Sequence, residues 1–232
     1  FYSIFMTAIL IVGTVPAAAD EHGNIFSNGF IVVVGDDGCG VILRGMERIA
    51  RFDMACEVNG NYITSKSLEG KKIDRTAAGT KFTAHLPGRK NAKFAQIVSC
   101  ENDKVKISFE RSGKWPECDW ISFQTEFQMG RFSGEYCVAD GEKINFPKDK
   151  SESSGIKGGI GEIKIFPENP TLDITIGSGE NNLSINDMRK WNEYSWQVNA
   201  DIPAPGEKPN SIFISLPKSD EKSGPSFNLR IS

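Results

Sequence analysis

Apolar residues along this chain recur at every second position far more often than at every third or fourth. In Lys104-Val105-Lys106-Ile107-Ser108-Phe109-Glu110, Val105, Ile107 and Phe109 alternate with charged or polar neighbours. Ile121, Phe123, Thr125 and Phe127 repeat the pattern, with Trp120, Ser122, Gln124 and Glu126 in the opposite phase. Successive side chains of a strand point to opposite faces, so each run predicts pleated sheet with one buried side. Val105, Ile107, Phe109, Ile121, Phe123 and Phe127 form the predicted core set. A third run, Phe132-Ser133-Gly134-Glu135-Tyr136-Cys137-Val138-Ala139, meets Lys143-Ile144-Asn145-Phe146-Pro147 across Asp140-Gly141, a hairpin signal.

The rest of the chain follows suit. Phe30 to Val34 and Cys39 to Leu43 flank Gly35-Asp36-Asp37-Gly38, and Phe52, Met54, Cys56 and Val58 alternate into the turn Asn59-Gly60. Gly45 to Phe52 reads as weakly helical, Ser65 to Gly79 as a charged loop, and Ser184 to Trp191 as room for one helical turn. Short strands are predicted at 82–86, 94–100, 163–166, 172–176, 183–185, 194–198, 212–216 and 227–231. Lys148 to Gly161, rich in Ser, Lys and Gly, reads as a mobile loop or linker and a candidate internal boundary. Short strands separated by Gly, Pro, Asn and Asp turns predict an all-β fold of about a dozen strands. The expected architecture is a two-sheet antiparallel β-sandwich, jelly-roll or supersandwich-like, formed by residues 20–232.

The first nineteen residues differ in kind. Ile4 to Val15 is almost continuously apolar, and Pro16-Ala17-Ala18-Ala19 supplies small residues before Asp20 and Glu21. This predicts a signal peptide over 1–19 cleaved after Ala19, hence a secreted, periplasmic or extracellular protein with no membrane association after cleavage. The basic leader and initiating Met are missing and the last strand pattern runs to Ser232, so the sequence reads as a fragment of a longer protein. A net charge of −3 with both signs interspersed offers no footprint for nucleic acid.

Export permits disulfides, and there are five cysteines, Cys39, Cys56, Cys100, Cys118 and Cys137. Cys100, Cys118 and Cys137 lie in or beside the 103–147 stretch, where a bridge among them is expected. No CxxC or Cys/His spacing appears, which argues against zinc or redox chemistry. Asp36-Asp37-Gly38 reads as a tight turn, because the spaced carboxylates of a calcium loop do not follow. No cofactor is predicted, and a structural calcium is left open.

Catalytic signatures are sparse. Glu117, Asp119 and Glu126 lie near aromatic residues but read as turn or surface carboxylates. Neither His22 nor His85 sits in a catalytic motif, and the glycines of 155–161 lack the setting of a phosphate loop. The aromatic residues carry more. Trp115 and Trp120 form one cluster, and Trp191, Tyr194 and Trp196 another, each beside polar side chains. A sugar ring presents an apolar C–H face edged by hydroxyls, so an exposed indole beside amides or carboxylates suits it. Trp120, opposite in phase to the core set, is expected to face solvent or a groove, whereas Trp196 reads as core. The candidate carbohydrate-binding residues are Trp115, Asp119, Trp120, Gln124 and Glu126.

The order Asp103-x-Val105-x-Ile107-x-Phe109, Asp119-Trp120-Ile121-Ser122-Phe123, Phe132-x-Gly134 and Asp140-Gly141 ahead of Phe146-Pro147 resembles a known type of region. It is similar to the non-catalytic β-sandwich regions that precede catalytic domains in large exported bacterial glycoside hydrolases and related polysaccharide-degrading proteins. The resemblance covers about 103–147 and, loosely, the strands beyond. It implies an accessory module that binds or presents polysaccharide or oligosaccharide, or packs against a catalytic domain later in the full-length chain. Two other readings stay open: a stand-alone glycoside hydrolase or polysaccharide lyase using carboxylates in a sandwich groove, and a structural or adhesive surface protein.

Overall fold

The computed structural model describes residues 18–20, 22–101, 104–128, 136–150, 155–169, 172–178, 182–191 and 195–217. The expectations for residues 1–17, 132–135, Tyr194 and the strand at 227–231 lie outside these residues. Nineteen strands are described. In the first half they are β1 (Ala18–Ala19), β2 (Ile25–Ser27), β3 (Phe30–Val34), β4 (Gly40–Arg44), β5 (Glu47–Val58), β6 (Asn61–Thr64), β7 (Glu69–Thr76), β8 (Gly79–Leu86), β9 (Arg89–Glu101) and β10 (Lys104–Gly113). In the second half come β11 (Trp120–Gln128), β12 (Tyr136–Ala139), β13 (Glu142–Asn145), β14 (Gly155–Ile160), β15 (Glu162–Ile165), β16 (Ile174–Ser178), β17 (Leu183–Asp187), β18 (Ser195–Asp201) and β19 (Asn210–Ser215). Two 3-10 turns, Ser65–Ser67 and Met188–Trp191, are the helical elements among the described residues.

The strands form a two-sheet β-sandwich. One sheet runs β1-β2-β3-β4-β5-β11-β18-β17-β14, with β6 also on β5, and the other runs β13-β12-β15-β16-β19-β10-β9-β8-β7. Every pairing is antiparallel. The long strand β5 organises the first sheet. β4 pairs with its residues 47–52 and β6 with 55–58 along one edge, while β11 pairs with 50–57 along the other.

Three hairpins turn on Asn-Gly or Asp-Gly. Asn28-Gly29, Asn59-Gly60 and Asp140-Gly141 have φ of 52 and 80, 52 and 72, and 48 and 81 degrees. Paired positive φ matches the right-handed twist of the flanking strands, and these residue types reach it at low steric cost.

Between the sheets lies one hydrophobic core. Val105, Ile107, Phe109, Phe123 and Phe127 are buried as the alternation predicts, and Ile121 packs against them half-exposed. Phe123 of the first sheet stacks on Phe109 of the second with centroids 5.0 Å apart and planes at 10°, and also touches the Phe52 ring at 5.7 Å. Gly40 lies opposite Phe52 on the neighbouring strand, where an added Cβ would stand 1.9 Å from the ring. The missing side chain is what lets Phe52 lie flat across β4.

The strand count exceeds the expected dozen for three physical reasons. The predicted loop 65–79 contains β7, an edge strand whose charged side chains face solvent on both sides, so no alternation survives. The weakly helical 45–52 is the start of β5, in which Phe52 through Cys56 are all buried, and burial on both faces erases the period of two. Residues 155–160, expected as mobile loop, form the edge strand β14, joined to β17 through irregular register. Asp36-Asp37-Gly38 is the expected turn: Cys39 N–H donates to Asp37 Oδ1 at 3.0 Å, and Asp36 pairs with Arg75 at 2.7 Å.

None of the five cysteines is in a disulfide. Cys137 on β12 and Cys100 on β9 are separated by β15, β16, β19 and β10. At about 4.8 Å per strand the gap is roughly 24 Å, beyond disulfide reach, so the expected bridge does not form between this pair. Burial pushes the Cys56 thiol up to about 12 and the Cys137 thiol up to about 11.

Two outcomes follow from this packing. Native protein treated with a thiol reagent near neutral pH should label at half-buried Cys39, Cys100 and Cys118 first, with Cys56 and Cys137 modified only on unfolding. Peptide mass mapping reads this, and early labelling of Cys56 contradicts its burial. Phe123→Ala should lower unfolding stability by about 3–5 kcal/mol in urea denaturation, because it empties the contact between the sheets.

Candidate functional site

The strands that build the core also build the site, on their other face. Antiparallel register sets rows of outward side chains, three of which border the clefts, while a fourth, Thr64, Ala55, Ser122 and Asp201, lies between the first two of these. Tyr62, Glu57 and Trp120 lie in line across β6, β5 and β11. Asp53, Gln124, Asn199 and Ser184 follow across β5, β11, β18 and β17, and Arg51, Glu126, Gln197 and Asn186 make the third row. Polar side chains on an outer sheet face are ordinary, but these are not all solvated. Asp53 is 6% exposed, Gln124 6% and Gln197 2%.

Over these rows opens a cleft of about 580 Å³, lined by Glu57, Gly60, Tyr62, Trp120, Gln124, Asn186, Met188, Trp191, Gln197 and Asn199. Its walls are aromatic and its floor is largely amide. Tyr62 and Trp191 are exposed at 59% and 53%. The Tyr62 and Trp120 rings meet at 5.7 Å with planes tilted by 46°. Trp120 Nε1 donates to Glu57 Oε2 at 2.8 Å, which fixes the indole against β5.

The floor is a connected network. Gln124 Oε1 accepts from Gln197 Nε2 at 3.1 Å and from the Tyr62 hydroxyl at 3.4 Å. Gln197 Nε2 also reaches Glu126 Oε1 at 3.3 Å, and Gln124 Nε2 donates to Ser122 Oγ at 3.4 Å. Asn199 Oδ1 is different: it is buried and has no hydrogen-bond partner. An unsatisfied buried acceptor costs about 1–3 kcal/mol.

Beside this cleft a smaller one of about 110 Å³ is lined by Arg51, Asp53, Tyr62, Thr64, Gln124 and Glu126. Arg51 lies 3.3 Å from Asp53 and 3.7 Å from Glu126, and its Nε donates to Cys39 Sγ at 3.0 Å. Burial raises the Asp53 carboxyl above its ordinary range, opposed by hydrogen bonding from Ser65 and the charge of Arg51. Beyond Trp120 a third, open cleft of about 670 Å³ holds Trp115 with Arg111, Lys114, Pro116 and Glu117. Trp115 Nε1 donates to Lys93 O at 3.0 Å, and the Arg111 guanidinium sits 5.3 Å from its ring centre.

The candidate residues from the sequence are therefore spread out. Trp120 and Gln124 line the main cleft, Glu126 the small neighbouring one, and Trp115 the open cleft on the far side of Trp120. Asp119 is exposed and lines none of the three, while its backbone N–H donates to Glu57 O at 3.0 Å. Glu57, Tyr62, Asn186, Trp191, Gln197 and Asn199 were not candidates. For those on strands the outward phase was readable but the strand order that gathers them was not, and Trp191 lies on the 3-10 turn Met188–Trp191, which has no such phase.

The rim carrying Trp191 is held by one arginine. Arg189 reaches Asp187 Oδ2 at 2.7 Å and donates to the carbonyls of Lys148 at 2.7 Å, Pro147 at 2.8 Å and Asp149 at 3.1 Å. Its guanidinium also lies 5.1 Å from the centre of the Trp196 ring, which is buried as the sequence suggested. Among the described residues, no group of three His, Cys, Asp or Glu side chains is arranged to hold a metal ion.

No protein-family profile and no curated protein sequence matches the chain. Solved structures do share its fold. An α-N-acetylgalactosaminidase, NagBb from Bifidobacterium bifidum, in its GalNAc complex superposes with a TM-score of 0.59 at 7% identity over 82% of this chain. Its Gal-NHAc-DNJ complex gives 0.58 at 7% identity over 85%. The Slr1438 protein from Synechocystis sp. PCC 6803 aligns over 94% of this chain and all of its own at 9% identity, with a TM-score of 0.47. The chain spans only 35% and 36% of the length of NagBb in the two complexes. At such identity the likeness establishes a shared β-sandwich fold.

Arg189→Ala should lower unfolding stability by about 3 kcal/mol, because it strands the Asp187 carboxylate, 2% exposed, without its cation. Removing both groups in Asp187→Ala/Arg189→Ala should restore part of that loss. Equal stability of Arg189→Ala and the parent in chemical denaturation would rule out the clamp.

Proposed function

We propose that this chain is an accessory β-sandwich module of an exported carbohydrate-active protein, and that it binds oligosaccharide in the cleft on the outer face of its larger sheet. The carrying observation is the cleft itself: Tyr62, Trp120 and Trp191 stand around a floor of Gln124, Gln197, Asn199 and Asn186. Aromatic faces with edge-on amides are what a sugar ring requires, and about 580 Å³ accommodates one or two of them. The shared fold with part of an enzyme that acts on an amino sugar, and the resemblance over 103–147, both point the same way. The amides and the indole N–H are already oriented by protein contacts, so little ordering is needed on binding.

On this reading residues 1–19 are an export signal. Cleavage after Ala19 would remove β1 and leave β2 as the sheet edge. The catalytic centre then belongs to another region of the full-length protein, to which this module presents its polysaccharide. A hydrolytic reading has one observation in its favour, the Asp53 and Glu126 carboxylates that flank Arg51 in the small cleft. Asp53 is committed to Arg51 and to the backbone N–H of Ser65 at 3.3 Å, which favours a structural role.

Isothermal titration against a panel of soluble oligosaccharides, with pull-down on insoluble polysaccharides, tests the module. Binding should be present and weakened about tenfold or more by Trp120→Ala or Tyr62→Ala, the loss of one stacking face. No binding to any sugar, or affinities untouched by both substitutions, would remove the proposal. Release of reducing sugar that disappears in Asp53→Asn would instead favour the hydrolase.

A further inference from the structure

The hydrogen-bonding capacity of the cleft is lopsided. Several donors on its walls and floor are engaged within the protein: Trp120 Nε1 by Glu57, the Tyr62 hydroxyl by Gln124, Gln124 Nε2 by Ser122, and Gln197 Nε2 by Gln124 and Glu126. Asn186 Nδ2 likewise reaches Ser184 Oγ at 3.4 Å. The acceptors have capacity to spare. Asn199 Oδ1 is unpartnered, and the Glu57 carboxylate, with two oxygens and about four lone-pair directions, is approached by one indole N–H at 2.8 Å.

Charge leans the same way. Glu57 is the one ionisable group among the lining residues apart from the Tyr62 phenol. The small neighbouring cleft carries Glu126 and Asp53 against the single cation Arg51, which both carboxylates already neutralise. Three aromatic faces complete the enclosure, and an aromatic face attracts a cation through its quadrupole. The Lys190 ammonium, 5.4 Å from the Trp191 ring centre, shows that this ring accepts a cation at that distance.

Resting on the proposed sugar-binding role, we infer that the cleft selects a sugar bearing a free ammonium group, a hexosamine oligosaccharide that is not N-acylated. An ammonium brings three donors and no acceptor, the complement of this lining. It is placed against Glu57 with Tyr62 and Trp120 flanking it. A uronic acid would bring negative charge beside Glu57 with no unengaged cation lining the cleft. An N-acylated sugar would replace three charged donors by one neutral N–H.

The test is titration of the whole chain with β-1,4-linked tetramers of glucosamine, N-acetylglucosamine and galacturonate at pH 6. The glucosamine tetramer should bind at least about tenfold tighter than the acetylated one, and the uronate should not bind measurably. Glu57→Gln keeps an acceptor for the Trp120 N–H but removes the charge, and it should erase the tenfold preference for the glucosamine tetramer over the acetylated one. Equal or tighter binding of the acetylated or uronate tetramer, or a preference that survives Glu57→Gln, overturns this inference and leaves the sugar-binding face intact. Failure of all tetramers and of the wider oligosaccharide panel overturns both.

Discussion

The antiparallel registry of β5, β11 and β18 is the constraint on which the rest of the molecule depends. It sets Phe52, Phe123 and Trp196 toward the opposing sheet and, one residue away on each strand, Asp53, Gln124 and Gln197 toward the cleft. Because side chains alternate with a period of two, a slip of one residue would exchange these sets. Phenyl rings would then meet water and amides would enter the core. The burial of Phe123 between Phe52 and Phe109 therefore holds the cleft floor in place as firmly as any contact within the floor.

The floor shows a second constraint. Gln124 and Gln197 are nearly as buried as core residues yet wholly polar, and such side chains are tolerated only when partnered. Gln124 Oε1 is the junction, receiving Gln197 from one side and Tyr62 from the other. That arrangement fixes which end of each amide faces the cleft. Asn199 Oδ1 departs from it, as does the buried Trp196 Nε1 on the opposite face of the same strand. The two orphans differ in setting. Trp196 is packed between Phe146 and Arg189, whereas Asn199 opens on space large enough for a ligand.

What could be read from the sequence follows from where each strand lies. Strands with one wet face declare themselves, so Val105, Ile107, Phe109, Phe123 and Phe127 were legible as core and Asn59-Gly60 and Asp140-Gly141 as hairpins. β5 was half-legible, since Asp53 and Ala55 are buried under the cleft and mimic a two-sided core strand. β7 was illegible for the opposite reason, being solvated along its length. For the site, the outward phase of Trp120 and Gln124 was visible, but Tyr62 joins them only through the pairing of β5 with β11, and Gln197 and Asn199 only through that of β11 with β18, strands far apart in the chain. Trp115 illustrates the converse. Near Trp120 in sequence, it lies in a different cleft because Trp120 itself stands between the two.

Floor and rim of the cleft are held by different physics, and this divides their roles. The floor belongs to a sheet whose far side is the core, so moving it requires repacking Phe123 and its neighbours. The rim at Trp191 is one 3-10 turn, tied down through Arg189 to Asp187 and to the carbonyls of residues 147–149. On the proposed sugar-binding reading, chemical discrimination rests on the rigid side, where Glu57 and Asn199 have fixed positions and a mismatched ligand cannot be accommodated by a small shift. On the same reading, added contact area comes from the rim, where the Trp191 indole is exposed on its short turn. A ligand longer than the cleft would run past Trp120 toward Trp115, since that indole forms a wall of both clefts. On the proposed sugar-binding reading, the exposed aromatic side chains set the direction in which an oligosaccharide extends, while Glu57 and the floor beside it set which sugar occupies the centre.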